Sequence, residues 1–311
     1  MNLYPFKELG FFDLLKWRWQ RSDKNIPQVD SYHFPLAHND PEFLRRNRTE
    51  NTVTWIGHST LLIQVNGVNI LTDPHFSERA SPLQWIGPKR AVQPGLKMED
   101  LPDLDLILIS HNHYDHLDSG SISRLKQLQN EIAPTFAVPL KLKKWFADKG
   151  IKNVLELDWW QFEKTVNFEI IAVPMQHWSK RNPFANNDTL WAGWVVKIKE
   201  FKFFFLGDTG YTPLFKEIGK RLGPFDLCAI PIGAYEPRWF MKNQHISPEE
   251  SLLIHKDANC KRSIGIHWGT FVLTDEPLDE PPRIIAELKP EMGIADDEFI
   301  VLQHGETMIL E

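Results

Sequence analysis

Cysteine is scarce. The 311 residues hold only Cys228 and Cys260, and neither belongs to a CxxC pair. Both fall in core or helix-end contexts, so they read as reduced structural thiols in a cytosolic setting. No uncharged apolar run approaches the ~20 residues that cross a bilayer. No signal peptide is expected, because Lys7, Glu8 and Asp13 interrupt the apolar residues at the start. There is no GxSxG nucleophile motif, internal repeat or low-complexity tract. Positive charge is not in excess either. The formal net charge is −6, which gives no global attraction to nucleic acid, and none is expected as a partner.

Aromatic residues are plentiful, with 12 Trp and 20 Phe. They suit a large core, an apolar ligand groove or a membrane surface. The length suits one large domain or two small ones. Residues 1–51 differ from the rest. "MNLYPFKELGFFDLLKWRWQR" is aromatic and ends basic. From Ser22 to Asn51 the chain is polar and carries Pro27, Pro35 and Pro41, as in an extended arm or linker. Phe6, Leu9, Phe12, Trp17 and Trp19, with Lys16, Arg18 and Arg21, can rest in a membrane interface or pack on the domain.

From Thr52 onward, short strands alternate with helices. Strands are predicted at 53–56, 60–65, 68–72, 104–110, 168–174, 194–198, 202–206, 227–232, 264–267 and 299–302. Asn66-Gly67 marks a hairpin turn. "LKLKKWFADKG" predicts a helix closed by Gly150. "SPEESLLIHKDA" predicts another, capped by Ser247 with Glu250 three residues on. The mixture suggests sheets packed between layers of helix.

The predicted strand 104–110 runs directly into "SHNHYDHLD", the pattern H-x-H-x-D-H at His111, His113, Asp115 and His116. Two histidines at i and i+2 can bind one metal ion, and the following Asp-His pair can reach a second. Imidazole with carboxylate suits zinc, with iron or manganese as substitutes. His177, Asp208 and His267 also follow apolar runs directly, as expected of residues projecting from one sheet edge. Asp208 is a candidate bridge. One ion would take His111, His113, His177 and Asp208; the other would take Asp115, His116, Asp208 and His267.

This set of residues resembles the metallo-β-lactamase superfamily from about residue 52 to the end. The resemblance implies a four-layer αββα sandwich, an α/β fold, with a dinuclear site at one edge. It also divides the chain into an arm, 1–51, and a catalytic domain, 52–311. "TWIGHST", "LTDPHFSERASP", "ELDWW", "QHWSKR", "FFFLGDTGY", "PIGAYEPRWFMKNQH" and "IHWGTF" resemble, in order, the family of N-acylphosphatidylethanolamine-hydrolysing phospholipases D. That narrower resemblance implies a phospholipid substrate, two zinc ions, a membrane surface as partner, a homodimer, and a cytoplasmic, peripheral location.

It also implies roles for further residues. Asp73 would brace the ligand loop through hydrogen bonds, or simply start the turn before Pro74. His58 would support the ligands or serve as a structural histidine. His245 would contact a phosphate oxygen or donate to the leaving group, with Asp115 as its catalytic companion. Tyr114, Arg238 and Lys242 are candidates for substrate binding. His33, His38, His75, His255 and His304 have no ligand-like context. The implied reaction is in-line attack of hydroxide on phosphorus, with both cations lowering the pKa of water. A lactonase, a ribonuclease or a non-catalytic membrane-binding protein on the same scaffold are the alternatives.

Overall fold

The computed structural model describes residues 2–4, 10–24, 26–129, 133–182 and 186–310. Phe6 and Leu9 of the arm lie outside them. The described residues form two seven-stranded sheets. The first contains β1 (Thr52–Gly57), β2 (Thr60–Val65), β3 (Val68–Thr72), β4 (Leu106–Leu108), β5 (Thr135–Pro139) and β6 (Val154–Leu157). The second contains β7 (Phe162–Lys164), β8 (Glu169–Val173), β9 (Gly193–Ile198), β10 (Phe201–Phe205), β11 (Leu227–Pro231), β12 (Ser263–Ile266) and β13 (Phe299–Ile300). The chain then returns as β14 (Thr307–Ile309), antiparallel to β1, and completes the first sheet. Asn66 and Gly67 both take positive φ, which lets two residues turn β2 into β3.

Alternation along the strands builds the layers. Val53, Trp55, Leu61 and Ile63 point between the sheets and meet Phe203, Phe205, Ile170 and Trp194. Phe204, Cys228 and Ile230 point outward beneath α5 (Leu214–Leu222), α7 (Pro248–Asp257) and α8 (Glu280–Glu291). Leu62, Leu71 and Ile107 point outward on the other side, beneath α2 (Pro41–Arg46), α3 (Ser119–Leu128) and α4 (Lys143–Asp148). The result is the four-layer αββα sandwich. The predicted cap of α7 is present: Ser247 Oγ accepts from Glu250 N, and Glu250 Oε2 accepts from Ser247 N.

Three expectations need correction. Cys228 and Cys260 form a disulfide, with 6.1 Å between their Cα atoms. They are 32 positions apart in sequence, but the parallel pairing of β11 with β12 brings them together on one outer face. The cytosolic setting argued from reduced thiols loses that support. Next, β5, β6, β7 and β14 were not predicted. They are three to five residues long, and β7 is wholly exposed, so none carries a strong periodic signal. Finally, the polar stretch after Ser22 is not simply extended. Asp40 caps α2 by accepting from Glu42 N and Phe43 N, with Pro41 at the first turn. Ala37 N donates to His304 O, which ties this stretch to the domain.

The arm contains α1 (Phe11–Ser22). Trp17 stacks on Phe240 at 4.8 Å, and its Nε1 donates to Asp275 Oδ1 at 2.9 Å. Lys24 Nζ donates to the other oxygen of Asp275 at 2.8 Å. Phe12, Leu15 and Trp19 face outward, with Trp19 70% exposed. No helix among the described residues is long and apolar enough to cross a membrane.

Candidate metal centre

The strand ends of both sheets meet at one edge. The first sheet supplies His58 after β1, Asp73 after β3 and the loop Ser110–Asp118 beyond β4. The second supplies His177 beyond β8, Asp208 beyond β10, His245 before α7 and His267 directly after β12. His58, Asp73 and His267 have φ of 53°, 29° and 61°. Such left-handed backbone costs a non-glycine residue about 1–3 kcal/mol and persists where the surroundings demand it. Gly207, beside Asp208, also has positive φ, and a Cβ there would lie 2.4 Å from Ser110 Cβ. Only glycine lets the two sheets' loops approach this closely.

Two groups of donors converge. His111, His113, His177 and Asp208 form one, with their ligand atoms within 4.8 Å of one another. His58, Asp115, His116 and His267 form the other on the same criterion. Asp208 touches both: Oδ2 is 3.0 Å from His116 Nε2 and 3.7 Å from His177 Nε2, and Oδ1 is 3.2 Å from His267 Nε2.

Hydrogen bonds behind the cluster select the tautomers. Asp73 accepts from Ser110 N at 2.7 Å and Ser110 Oγ at 2.5 Å, and lies 2.6 Å from His116 Nδ1. With its proton on Asp73, the Ser110 hydroxyl can only accept from His111 Nδ1, 2.9 Å away. His177 Nδ1 donates to the Gln244 carbonyl at 2.9 Å. In the neutral rings of His111 and His177, the Nε2 lone pair is therefore the one presented inward, and His116, with Nδ1 turned to Asp73, directs its Nε2 the same way.

That inward face is short of hydrogen. His111 Nε2 and His177 Nε2 lie 2.8 and 3.3 Å from the same atom, His113 Nδ1. His113 Nε2 is buried without a hydrogen-bond partner, and the Nε2 atoms of His116 and His267 face only the carboxylates of Asp115 and Asp208, at 3.0 to 3.4 Å. Converging lone pairs in a buried place repel unless a cation lies between them. The donor set therefore fits metal ions.

The electrostatics agree. Burial pushes the imidazoles of His113 and His177 down, to about 3 and about 4, so both stay neutral. Burial also opposes charge on Asp208, but the neighbouring His116 and His267 outweigh it and hold the carboxyl well below its usual range. Burial lowers His267 as well, yet Asp208 and the hydrogen bonds to Asp115 and Asp208 win and raise it to about 9. A proton held there competes with a cation for the same nitrogen.

The other candidate residues divide. His58 Nε2 lies 3.1 Å from Asp115 Oδ2 and so holds that carboxylate. His245 is partly exposed, but its Nδ1 is buried without a partner and lies 4.0 Å from Asp208 Oδ2. Burial keeps it well below the ordinary imidazole range. The Tyr114 hydroxyl donates to Arg181 O at 2.7 Å. Arg238 is paired with Glu250 at 2.7 Å and donates to the carbonyls of Tyr235 and His245. Lys242 is exposed.

Sequence reading assigned no role to Ser110, Gln244, Asn2 or Arg181. Gln244 acts through its carbonyl, which every residue carries, so no signal marked it. Arg181 lies in "QHWSKR". Its Nη1 donates to Asn112 O at 3.0 Å and Leu117 O at 2.7 Å, spanning the loop of His113, Asp115 and His116.

Comparisons with known proteins now bear on this cluster. A family profile described as "Beta-lactamase superfamily domain" matches residues 68–268. The "N-acyl-phosphatidylethanolamine-hydrolyzing phospholipase D 1" of Caenorhabditis elegans is 44% identical over 265 residues, 81% of this chain and 74% of that protein. The mitochondrial protein of the same description from Saccharomyces cerevisiae is 36% identical over 286 residues, covering 90% of this chain and 59% of that one. A solved structure of a possible metal-dependent hydrolase from Veillonella parvula has a TM-score of 0.68 over 84% of this chain and 100% of its own, at 16% identity.

Proposed function

Because the chain belongs to the metallo-β-lactamase superfamily and, within it, to the family of N-acyl-phosphatidylethanolamine-hydrolysing phospholipases D, we propose that it hydrolyses N-acyl phosphatidylethanolamine to phosphatidic acid and an N-acyl ethanolamide. The structural observation that carries this reading is the buried, lone-pair-rich cluster shared by the two sheets.

His111, His113, His177 and Asp208 would hold one zinc ion, and Asp115, His116, His267 and Asp208 would hold a second. Bound there, the ions polarise the phosphodiester and make water nucleophilic near neutral pH. The chain's own groups do the rest. Asp208 supplies an anion to both groups. Asp73 and Ser110 fix the rings of His111 and His116, and His58 fixes Asp115. His245 is neutral, so its ring N–H serves as a hydrogen-bond donor to a phosphoryl or leaving-group oxygen rather than as an imidazolium acid. Lys242 attracts the phosphate from the surface. Tyr114 and Arg238, whose donors are committed elsewhere, act on the loops around the site.

The outward face of α1 meets the bilayer. Phe12, Leu15 and Trp19 follow an i, i+3, i+7 spacing, and Lys16 and Arg18 flank them. The homodimer belongs to the same proposal and is read by sedimentation velocity.

Incubation with mixed phospholipids in ¹⁸O-water tests the reaction by mass spectrometry. N-acyl ethanolamide should appear together with phosphatidic acid carrying the label. Label in the ethanolamide would place attack at carbon, and turnover of lactones alone would remove the lipid substrate.

A further inference from the structure

The first residues of the chain reach the candidate metal centre. Asn2 Nδ2 donates to the carbonyl of His177 at 3.0 Å, and His177 N donates to Asn2 Oδ1 at 3.1 Å. One carboxamide thus satisfies both polar groups of a single residue's backbone, as a neighbouring strand would. It does so where no strand is available, since β8 ends at Val173. On either side, Gln176 N donates to Thr209 Oγ1 and Ser179 N to Asn187 Oδ1, both within the domain.

His177 needs this support more than its neighbours do. Its side chain is fully buried. Its ring is fixed at Nδ1 by the Gln244 carbonyl and directs Nε2 at His113 and Asp208. The ring's position follows from its backbone, and Asn2 clasps that backbone on its open side. Tyr4 packs against the apolar cluster under the second sheet and so keeps the short segment in place.

We propose that Asn2 is a positioning residue for His177, so that seating of the N-terminal segment sets how firmly the first cation is held. This inference rests on the assignment of His177 as a metal ligand. It gives the arm two separable attachments to the site region: Asn2 at His177, and Trp17 with Lys24 at Asp275. The outward face of α1 is a third and distinct surface.

The test uses the full chain with any purification tag at the C-terminus, and the variants Asn2→Ala and Asn2→Asp. Alanine removes both hydrogen bonds; aspartate keeps an acceptor for His177 N but cannot donate to its carbonyl. Loss of a supporting hydrogen bond behind a ligand weakens metal binding by about 10- to 100-fold. Both variants, loaded with Co(II), should therefore surrender one of two equivalents to a chelator at least about tenfold faster than the parent. The visible absorption band of that ion should shift. In metal-free protein, amide exchange in the peptide covering 175–179 should quicken while the global unfolding midpoint stays unchanged. Unaltered chelator kinetics and spectrum with two equivalents bound would overturn the role of Asn2. A lowered global midpoint with an unchanged spectrum would also overturn it, because Asn2 would then be stabilising the fold alone. If the parent binds no metal through His177, the ligand assignment fails first, and His177→Ala in the same assay reads that outcome separately.

Discussion

At the scale of single residues, Asp208 matters most. Two cations held close together repel, and a shared anion offsets that repulsion directly. Asp208 is 4% exposed and reaches His116, His177 and His267. Asp208→Asn should reduce bound metal at both sites and lower turnover by about three orders of magnitude or more, given the several kcal/mol such metals supply. His267→Ala should deplete mainly one ion. Metal analysis of the two variants decides: two full equivalents in Asp208→Asn would remove the bridge. Much of this set of residues was legible in sequence, because H-x-H-x-D-H is local and His177, Asp208 and His267 each follow an apolar run. What holds the rings was less so. Asp73 stands in a recognisable strand end, but Ser110, Gln244 and Asn2 act through a short hydroxyl, a carbonyl and a carboxamide from 175 positions away.

At the scale of elements, the loop from Asn112 to Leu117 has no regular secondary structure of its own. Arg181 spans it by donating to the carbonyls at both ends, and lies 4.5 Å from the ring of Tyr114. Tyr114 returns a hydrogen bond to Arg181 O. A charged donor to a buried carbonyl contributes about 1.5–3 kcal/mol. Arg181→Met keeps the apolar stem and should cost about 3 kcal/mol in a denaturant titration. Tyr114→Phe should cost about 1 kcal/mol and lower kcat with KM unchanged. A raised KM would return Tyr114 to the substrate. Strand 104–110 was predicted too long for the same reason that this loop needs Arg181. Its apolar run continues past Leu108, and Ile109 N still donates to Ala137 O of β5, but Ser110 N meets Asp73 instead of a strand neighbour.

At the scale of the whole molecule, the arm is a helix docked by one face and exposed on the other. Trp17 is held by Phe240 and Asp275, whereas Leu15 and Trp19 are 45% and 70% exposed. Burying two such side chains in an interface contributes about 3 kcal/mol or more. The double variant Leu15→Ser, Trp19→Ser should therefore bind anionic vesicles about a hundredfold more weakly. Its turnover of a water-soluble phosphodiester should not change. Equal loss on both substrates would make the outward face a part of the folded domain. The sequence left both readings of this segment open because its aromatic residues serve two faces, and the partners that dock Trp17, Phe240 and Asp275, lie more than 220 positions away.

The cluster draws its donors from both sheets, and with cations bound this would make the cation concentration a variable of folding. The first sheet contributes His111, His113, Asp115 and His116, and the second His177, Asp208 and His267. Neither sheet alone keeps a full set, so separating them releases the ions. Each occupied site then adds about 1.4 kcal/mol to the native state for every tenfold rise in free cation above its dissociation constant. The same ions that serve hydrolysis would act as a reversible crosslink, and starvation for metal would reach the protein first as a loss of heat resistance.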